Sequence, residues 1–385
     1  MVETLRHALN VLAVAAPDWL RSQVQPDWLE RYGQRADEYR FPSGEDKRQQ
    51  FLHQVGQDGW GLLAAIEADP TSHWMLSIPA IDTLQRVWKQ DYLPRDLGGT
   101  WIADQDRLEA ARVIYSPYDL DASAAKKRST YWMGFKAHFS ESCEPDLPRL
   151  ITQVTTTIGP IPDGQTLPAI HTVLDQRELL PAQHIVDAGY IDAELLVASQ
   201  TEYQVDLLGP TGKDHRWQAR EQTGYALSDF SIDWEQEQAH CPQGQRSHSW
   251  TPAKARDQDV IKIKFAYTTC GPCPVRSRCT QSGRRTLTVR RREAYEALEA
   301  ARRREQTEEF AQVYDQRAGI EGTHAQGVRR MGLRRSRYIG EPRTHLQHVA
   351  TATAINLCRL YDWLMDISPH STRPSHFACF MKEAA

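Results

Sequence analysis

Residues 184–190 read His-Ile-Val-Asp-Ala-Gly-Tyr, a short apolar run that stops at a carboxylate, Asp187, and a glycine. A run of this length beside a turn former predicts a strand. Before it, Leu167, Ile170, Val173 and Leu174 lie at helical spacing within 166–180, and Ala193–Ser199 returns to helix after it. Val205–Leu208 follows as another strand. Upstream, Tyr131–Phe139 and Leu150–Thr157 are β-rich, and the polar turn Glu141–Pro148 between them predicts an antiparallel pair. Together these segments predict an α/β fold, a mixed sheet flanked by helices. Open α/β sheets place their chemistry at the carboxyl ends of strands, which makes Asp187 a candidate catalytic residue.

Further out the pattern changes twice. Residues 1–115 read as a helical region, with helical spacing over Leu5–Leu20 and Asp58–Ala68 and turns at Pro17, Gly44, Pro70 and Gly98-Gly99. Trp19, Trp28, Trp60, Trp74, Trp88 and Trp101 are expected to pack between those helices. Residues 225–292 read as a small β module, where Ile261, Ile263 and Phe265 alternate with Lys262 and Lys264. From Arg292 to about Arg317 the chain is helical, and Thr344–Leu364 is a long apolar helix. There Leu346, Val349, Thr353, Leu357, Leu360 and Leu364 share a face that is expected to be core. The predicted division is 1–115 helical, 116–224 α/β core, 225–292 inserted module, 293–366 C-terminal helices completing the core, and 367–385 tail.

Of the 385 residues, 40% are apolar and 25% charged, the balance of an ordinary globule. No run reaches the roughly 18 apolar residues a membrane helix needs, and Ala8–Ala16 lacks the cationic flank of a secretory leader. An odd cysteine number, seven, with four crowded together, suits a reducing compartment and a metal site, so a cytoplasmic location is expected. Residues 241–385 hold 25 Lys/Arg against 14 Asp/Glu, whereas 1–240 hold 21 against 36. A basic half of this kind suits a polyanionic partner; a solvated helical surface is the plainer account.

Cys270-Gly-Pro-Cys273, followed by Cys279 and preceded by Cys241, forms a four-thiolate set. A two-residue spacer in a tight turn aims both sulfurs at one tetrahedral ion, so structural zinc suits this module. A redox pair or an unmetallated cluster fits the same spacing, and His240 is an alternative to Cys241. Cys143, Cys358 and Cys379 lack partners, and Cys358 is expected in the core.

Tyr314, Arg317 and Glu321 fall on one helical face, which an ordinary surface salt bridge would also explain. Gly319 and Gly322 each cost about 1 kcal/mol relative to alanine within a helix, so a close backbone approach is expected there. Arg329, Arg330, Arg334, Arg335 and Arg337 follow, with no acid between Gly322 and Gly340. Guanidinium forks at this density suit phosphate oxygens, and an acid among them suits a metal ion.

The chain resembles a DDE transposase of a bacterial insertion sequence, of the branch with an RNase H-like core. The resemblance rests on Ser116–Ala122, Gly134–His138, Ile151–Thr157, His184–Leu196, the cysteine module and Arg317–Leu360. Tyr314, Arg317 and Glu321 match that family's Tyr-x2-Arg-x3-Glu-x6-Lys signature, except that Val328 stands where the lysine belongs. The resemblance implies an RNase H-like mixed sheet with an inserted β module holding a four-cysteine zinc site. It implies that Asp187 and Glu321 are the second and third catalytic carboxylates and hold Mg²⁺ or Mn²⁺ for two-metal hydrolysis and strand transfer. Tyr314, Arg317 and the five further arginines would grip double-stranded DNA, with the protein a homodimer on it. The family's first Asp belongs on a strand ahead of Val2-Glu-Thr-Leu-Arg-His, so an N-terminal truncation with impaired activity is expected, or a zinc-stabilised DNA-binding remnant that regulates without cleaving. Asp119 and Asp121 are fallback first carboxylates, and read more simply as turn and cap residues.

Overall fold

The computed structural model describes residues 1–35, 42–93, 100, 102, 113–127, 129–212, 214, 216–220, 223–255 and 258–367. Gly98-Gly99, Trp101, Cys379 and the tail from Ser368 lie outside the described residues. Contacts divide the chain into two units, each discontinuous in sequence.

The first unit comprises Met1–His138, Val154–Ile161 and Met331–Ala352. Its N-terminal helices are α1 (Val2–Ala15), α2 (Pro17–Gln23), α3 (Trp28–Tyr32), α4 (Glu45–Ala68) and α5 (Pro79–Asp91), with a 3₁₀ turn at Pro70–Ser77. Pro17 opens α2 at a position whose N–H would have no helical partner, which separates it from α1. Leu5, Leu12, Leu62, Ile66, Ile81, Leu84 and Trp88 are fully or almost fully buried in one core. Gly59 permits the closest approach, because a Cβ there would overlap the Trp88 indole. Trp28 and Trp88 are buried and Trp19 and Trp60 partly so, but Trp74, expected to pack, is 50% exposed on its 3₁₀ turn.

Strands β1 (Ser123–Lys127), β2 (Thr130–Glu141) and β3 (Ile151–Ile158) form a sheet in that order, with β1 and β2 antiparallel. The turn after β2 is closed by Ser142 N donating to Leu150 O at 2.9 Å.

The second unit comprises Phe139–Gln153, Pro162–Arg330 and the chain from Thr353. It contains α6 (Asp163–Gln176), β4 (Gln183–Ile185), α7 (Ala193–Tyr203), β5 (Asp206–Leu208) and α8 (Trp217–Arg220). β4 and β5 are parallel, and Leu167, Val186 and Leu207 make their core. The single mixed sheet expected from the sequence is not formed among the described residues. β1–β3 and β4–β5 are separate sheets, because no described strand bridges them by hydrogen bonds.

The β module is built from β6 (Ser231–Asp233), β7 (Gln238–His240), β8 (Ser249–Ala255), β9 (Gln258–Lys264), α9 (Tyr267–Cys270), α10 (Arg276–Cys279) and β10 (Thr286–Arg290). Phe230, Ala239, Ile263, Phe265, Leu287 and Val289 bury its core, as the alternation predicts. Then follow α11 (Arg292–Glu305), α12 (Glu308–Tyr314), α13 (Ala318–Met331) and α14 (Glu341–Leu364).

Helix α14 corrects a reading of its sequence. Its leucine face is exposed, with Leu346 at 65% and Leu357 at 63%, and Cys358 is exposed beside it. The buried positions are Thr344, Gln347, His348, Thr351, Ala352 and Ile355. Polar groups can take the inside here because they are hydrogen-bonded. His348 Nδ1 meets Thr156 Oγ1 at 2.8 Å, Gln347 Nε2 donates to Arg335 O at 2.8 Å, and Arg337 N donates to Gln347 Oε1 at 2.8 Å. Hydropathy periodicity carries no record of such partners.

Candidate active site and cysteine centre

β4 ends at Ile185, and Val186 N still donates to Leu208 O at 2.8 Å. Asp187 is therefore the second residue past the strand, where it caps the 3₁₀ turn Ala188–Tyr190 by accepting from Gly189 N at 2.8 Å. A Cβ on Gly189 would stand 3.0 Å from Asp187 Oδ1 and 3.4 Å from Asp163 Oδ2, so glycine leaves open the space these two carboxylates share. The neighbouring Tyr190 phenol is pushed up by burial first, then by Asp163 and Asp187, and stays protonated.

The helix expected through Arg317 is interrupted. α12 stops at Tyr314, Asp315–Arg317 form a 3₁₀ turn, and α13 starts at Ala318. The break leaves the three predicted side chains together. Arg317 Nη1 donates to Glu321 Oε1 at 3.3 Å, and Arg317 Nη2 stands 3.6 Å from Asp187 Oδ2. Tyr314 joins them. Burial raises its phenol most, Arg317 pulls it back, and Asp187 and Glu321 raise it further. Two acids remote in sequence thus share one guanidinium. Asp187 is 34% exposed and Glu321 73%, an environment in which such pairs contribute at most about 1 kcal/mol each.

Below this group lies a buried network for which the sequence has no signal. The Glu141 side chain at the end of β2 is 7% exposed and takes Arg359 Nη1 at 2.9 Å and Thr323 Oγ1 at 2.5 Å. Arg359 also donates to Thr323 Oγ1 and to Arg149 O, the latter at 2.8 Å. This ties α13 to β2 and α14 at a position two residues beyond Glu321. Gly319 does mark a close approach, since a Cβ there would overlap the Arg149 guanidinium. Gly322 does not, having nothing within 4 Å of that position. His324 stacks on Phe139 with centroids 5.1 Å apart, and burial lowers its pKa.

Asp119 and Asp121 act as turn and cap residues. Asp119 accepts from Gly340 N, and Asp121 from Glu341 N, each at 3.1 Å, at the start of α14. Arg329 and Arg330 end α13, and Arg334, Arg335 and Arg337 lie in the following loop. All five are exposed, and none is ion-paired among the described residues.

The cysteines converge. Cys241 opens a turn closed by Gly244 N donating to its carbonyl at 2.8 Å, with Gly244 at φ +74°. Cys270 ends α9, Cys273 follows the Gly-Pro turn, and Cys279 ends α10. All four line one cavity together with Tyr225, Phe265 and Arg285, and His240 is not among its lining residues. Burial raises the Cys279 thiol most; Arg285 lowers it, and the other three cysteines raise it. Arg285 is 5% exposed and donates to Cys279 O at 2.6 Å. Among the described residues, however, no three or more His, Cys, Asp or Glu are drawn into a group able to hold a metal ion, here or around Asp187.

Residues 240–361 match the family model described as transposase DDE domain, which supports a DDE transposase. That span contains Arg317, Glu321 and the cysteines, and Asp187 lies ahead of it. No curated protein and no solved structure matches the chain. Among the described residues, no helix is long and apolar enough to cross a membrane.

Proposed function

We propose that this chain acts on the phosphodiester bonds of DNA as a transposase, with Asp187 and Glu321 as two of its catalytic carboxylates. The observation that carries this reading is the meeting of both acids at Arg317, at 3.6 and 3.3 Å, on a chain that continues into the exposed Arg329 and Arg330 at the end of α13. Asp187 and Glu321 would hold a divalent cation, magnesium or manganese. Such an ion, when bound, activates the attacking water or 3′-hydroxyl and polarises the scissile phosphodiester.

The chain's own groups have distinct tasks in this reading. Arg317 keeps two like charges from repelling and offers a fork that fits phosphate oxygens. Tyr314, held protonated, donates a hydrogen bond. Arg329, Arg330, Arg334, Arg335 and Arg337 bind the DNA backbone without reading its sequence. Magnesium- or manganese-dependent nicking of duplex DNA by the full chain, lost in Asp187→Ala and in Glu321→Ala, is the test. Cleavage that survives Asp187→Ala removes the assignment.

The exposed arginines Arg329, Arg330, Arg334, Arg335 and Arg337 also fit a second reading, a protein that binds DNA and regulates transposition without cleaving it. Tight DNA binding without any metal-dependent nicking would select it.

For the cysteine cavity we infer structural zinc held by Cys241, Cys270, Cys273 and Cys279. Four thiols around one cavity are a soft donor set of the kind zinc takes. One zinc per chain, lost in Cys273→Ser, is expected by elemental analysis, and a natively purified sample without zinc rejects the site.

A further inference from the structure

The β8–β9–β10 sheet has two unlike faces. Pleating sends alternate residues to opposite sides. On one side Trp250, Ile263 and Leu287 stand in register and enter the module's core with Ile261 and Val289. On the other side the registered rows are Ser249–Lys264–Thr286 and Thr251–Lys262–Thr288. None of these six residues is buried, and both lysines lack an ion pair among the described residues. Further along the same face, Arg290 is occupied by Asp192 at 3.4 Å and Glu194 at 2.9 Å, and Val260 is buried. Over the two rows of hydroxyls and ammonium groups the face is open.

A face serving solubility alone mixes both signs of charge. Residues 238–290 instead carry ten Lys/Arg against two Asp/Glu, and one of the two acids, Asp259, is bound to Arg291 at 2.6 Å. Lysine supplies an unpaired point charge, and Ser and Thr hydroxyls donate to phosphate oxygens. We infer that this face contacts the phosphodiester backbone of duplex DNA through Lys262, Lys264 and the four hydroxyls, as a second surface besides the Arg329–Arg337 stripe. The inference rests on the DNA-acting reading above.

The test is duplex binding by the full chain, followed by fluorescence anisotropy across a salt series. Lys262→Gln/Lys264→Gln should weaken binding equally for unrelated sequences. It should also flatten the dependence of log K on log salt by about 2, since each lost phosphate contact removes about 0.9. Thr251→Val/Thr288→Val should weaken binding with the slope intact, because hydrogen bonds are lost without charge. An unchanged slope in the lysine variant, with an unaltered melting temperature, overturns the surface and leaves the DNA-acting reading standing. Absence of duplex binding by the unaltered chain at low salt overturns both.

Discussion

Asp187 Oδ2 and Arg317 Nη2 stand 3.6 Å apart, and the same guanidinium reaches Glu321 at 3.3 Å. A single positive charge between two negative ones leaves the group with a net charge of about −1, before Asp163 near Gly189 is counted.

Arg317 should therefore compete with any cation the two acids hold. Arg317→Met is expected to raise manganese affinity roughly three- to tenfold, the equivalent of about 1 kcal/mol, while weakening duplex binding. Electron paramagnetic resonance of free Mn²⁺ measures the first effect. Affinity that stays level or falls means that the carboxylates do not share a cation site. Asp187→Asn and Glu321→Gln should each lower manganese-dependent nicking roughly 10²–10³-fold.

Two glycines test the packing in opposite directions. Gly59→Ala pushes a methyl into the Trp88 indole and should destabilise the N-terminal helices by about 1–3 kcal/mol. Gly322→Ala enters open space within α13 and should stabilise by about 1 kcal/mol. Chemical denaturation reads both, and a destabilising Gly322→Ala would mean that something approaches the helix there.

His184 and His348 predict how stability follows pH. Burial holds both imidazoles down to about 4, helped by His171 for His184 and by His345 and His138 for His348. Below about 6.5 the unfolded chain protonates these groups while the folded one does not, so acid favours unfolding. Their contribution is complete above about 6.5 and is lost as pH falls toward 4. Denaturation midpoints should drop across that window, and His348→Gln should flatten the drop. An identical profile in the variant rules out this source.

Zinc removal should act on the β module first. A chelator is expected to lower the melting temperature of the unaltered chain and leave that of Cys273→Ser unmoved. Equal shifts in both would place the metal elsewhere.

Much of the secondary structure was legible because it depends on local spacing. Alternation of Ile261, Ile263 and Phe265 with lysines marked β9, and the turn read at Pro17 is where α1 gives way to α2. Cys270-Gly-Pro-Cys273 announced a shared turn, and Tyr314, Arg317 and Glu321 remained neighbours although a 3₁₀ turn replaced the continuous helix. Long-range partnership was not legible. The Glu141–Arg359–Thr323 network joins residues far apart along the chain, and none of the three is unusual in its local sequence. The same blindness reversed α14, where satisfied polar side chains face inward and leucines face out.

Sequence alone determined many of the helical and strand segments and which residue types could do metal and phosphate chemistry. These follow from backbone sterics, side-chain periodicity and functional groups that each residue carries by itself. Only the tertiary structure decided which acids meet at Arg317, which glycine faces a guanidinium, and which side of each amphipathic element is buried. Those outcomes depend on hydrogen bonds and packing between residues that have no local relation, and such contacts exist only once the chain has folded.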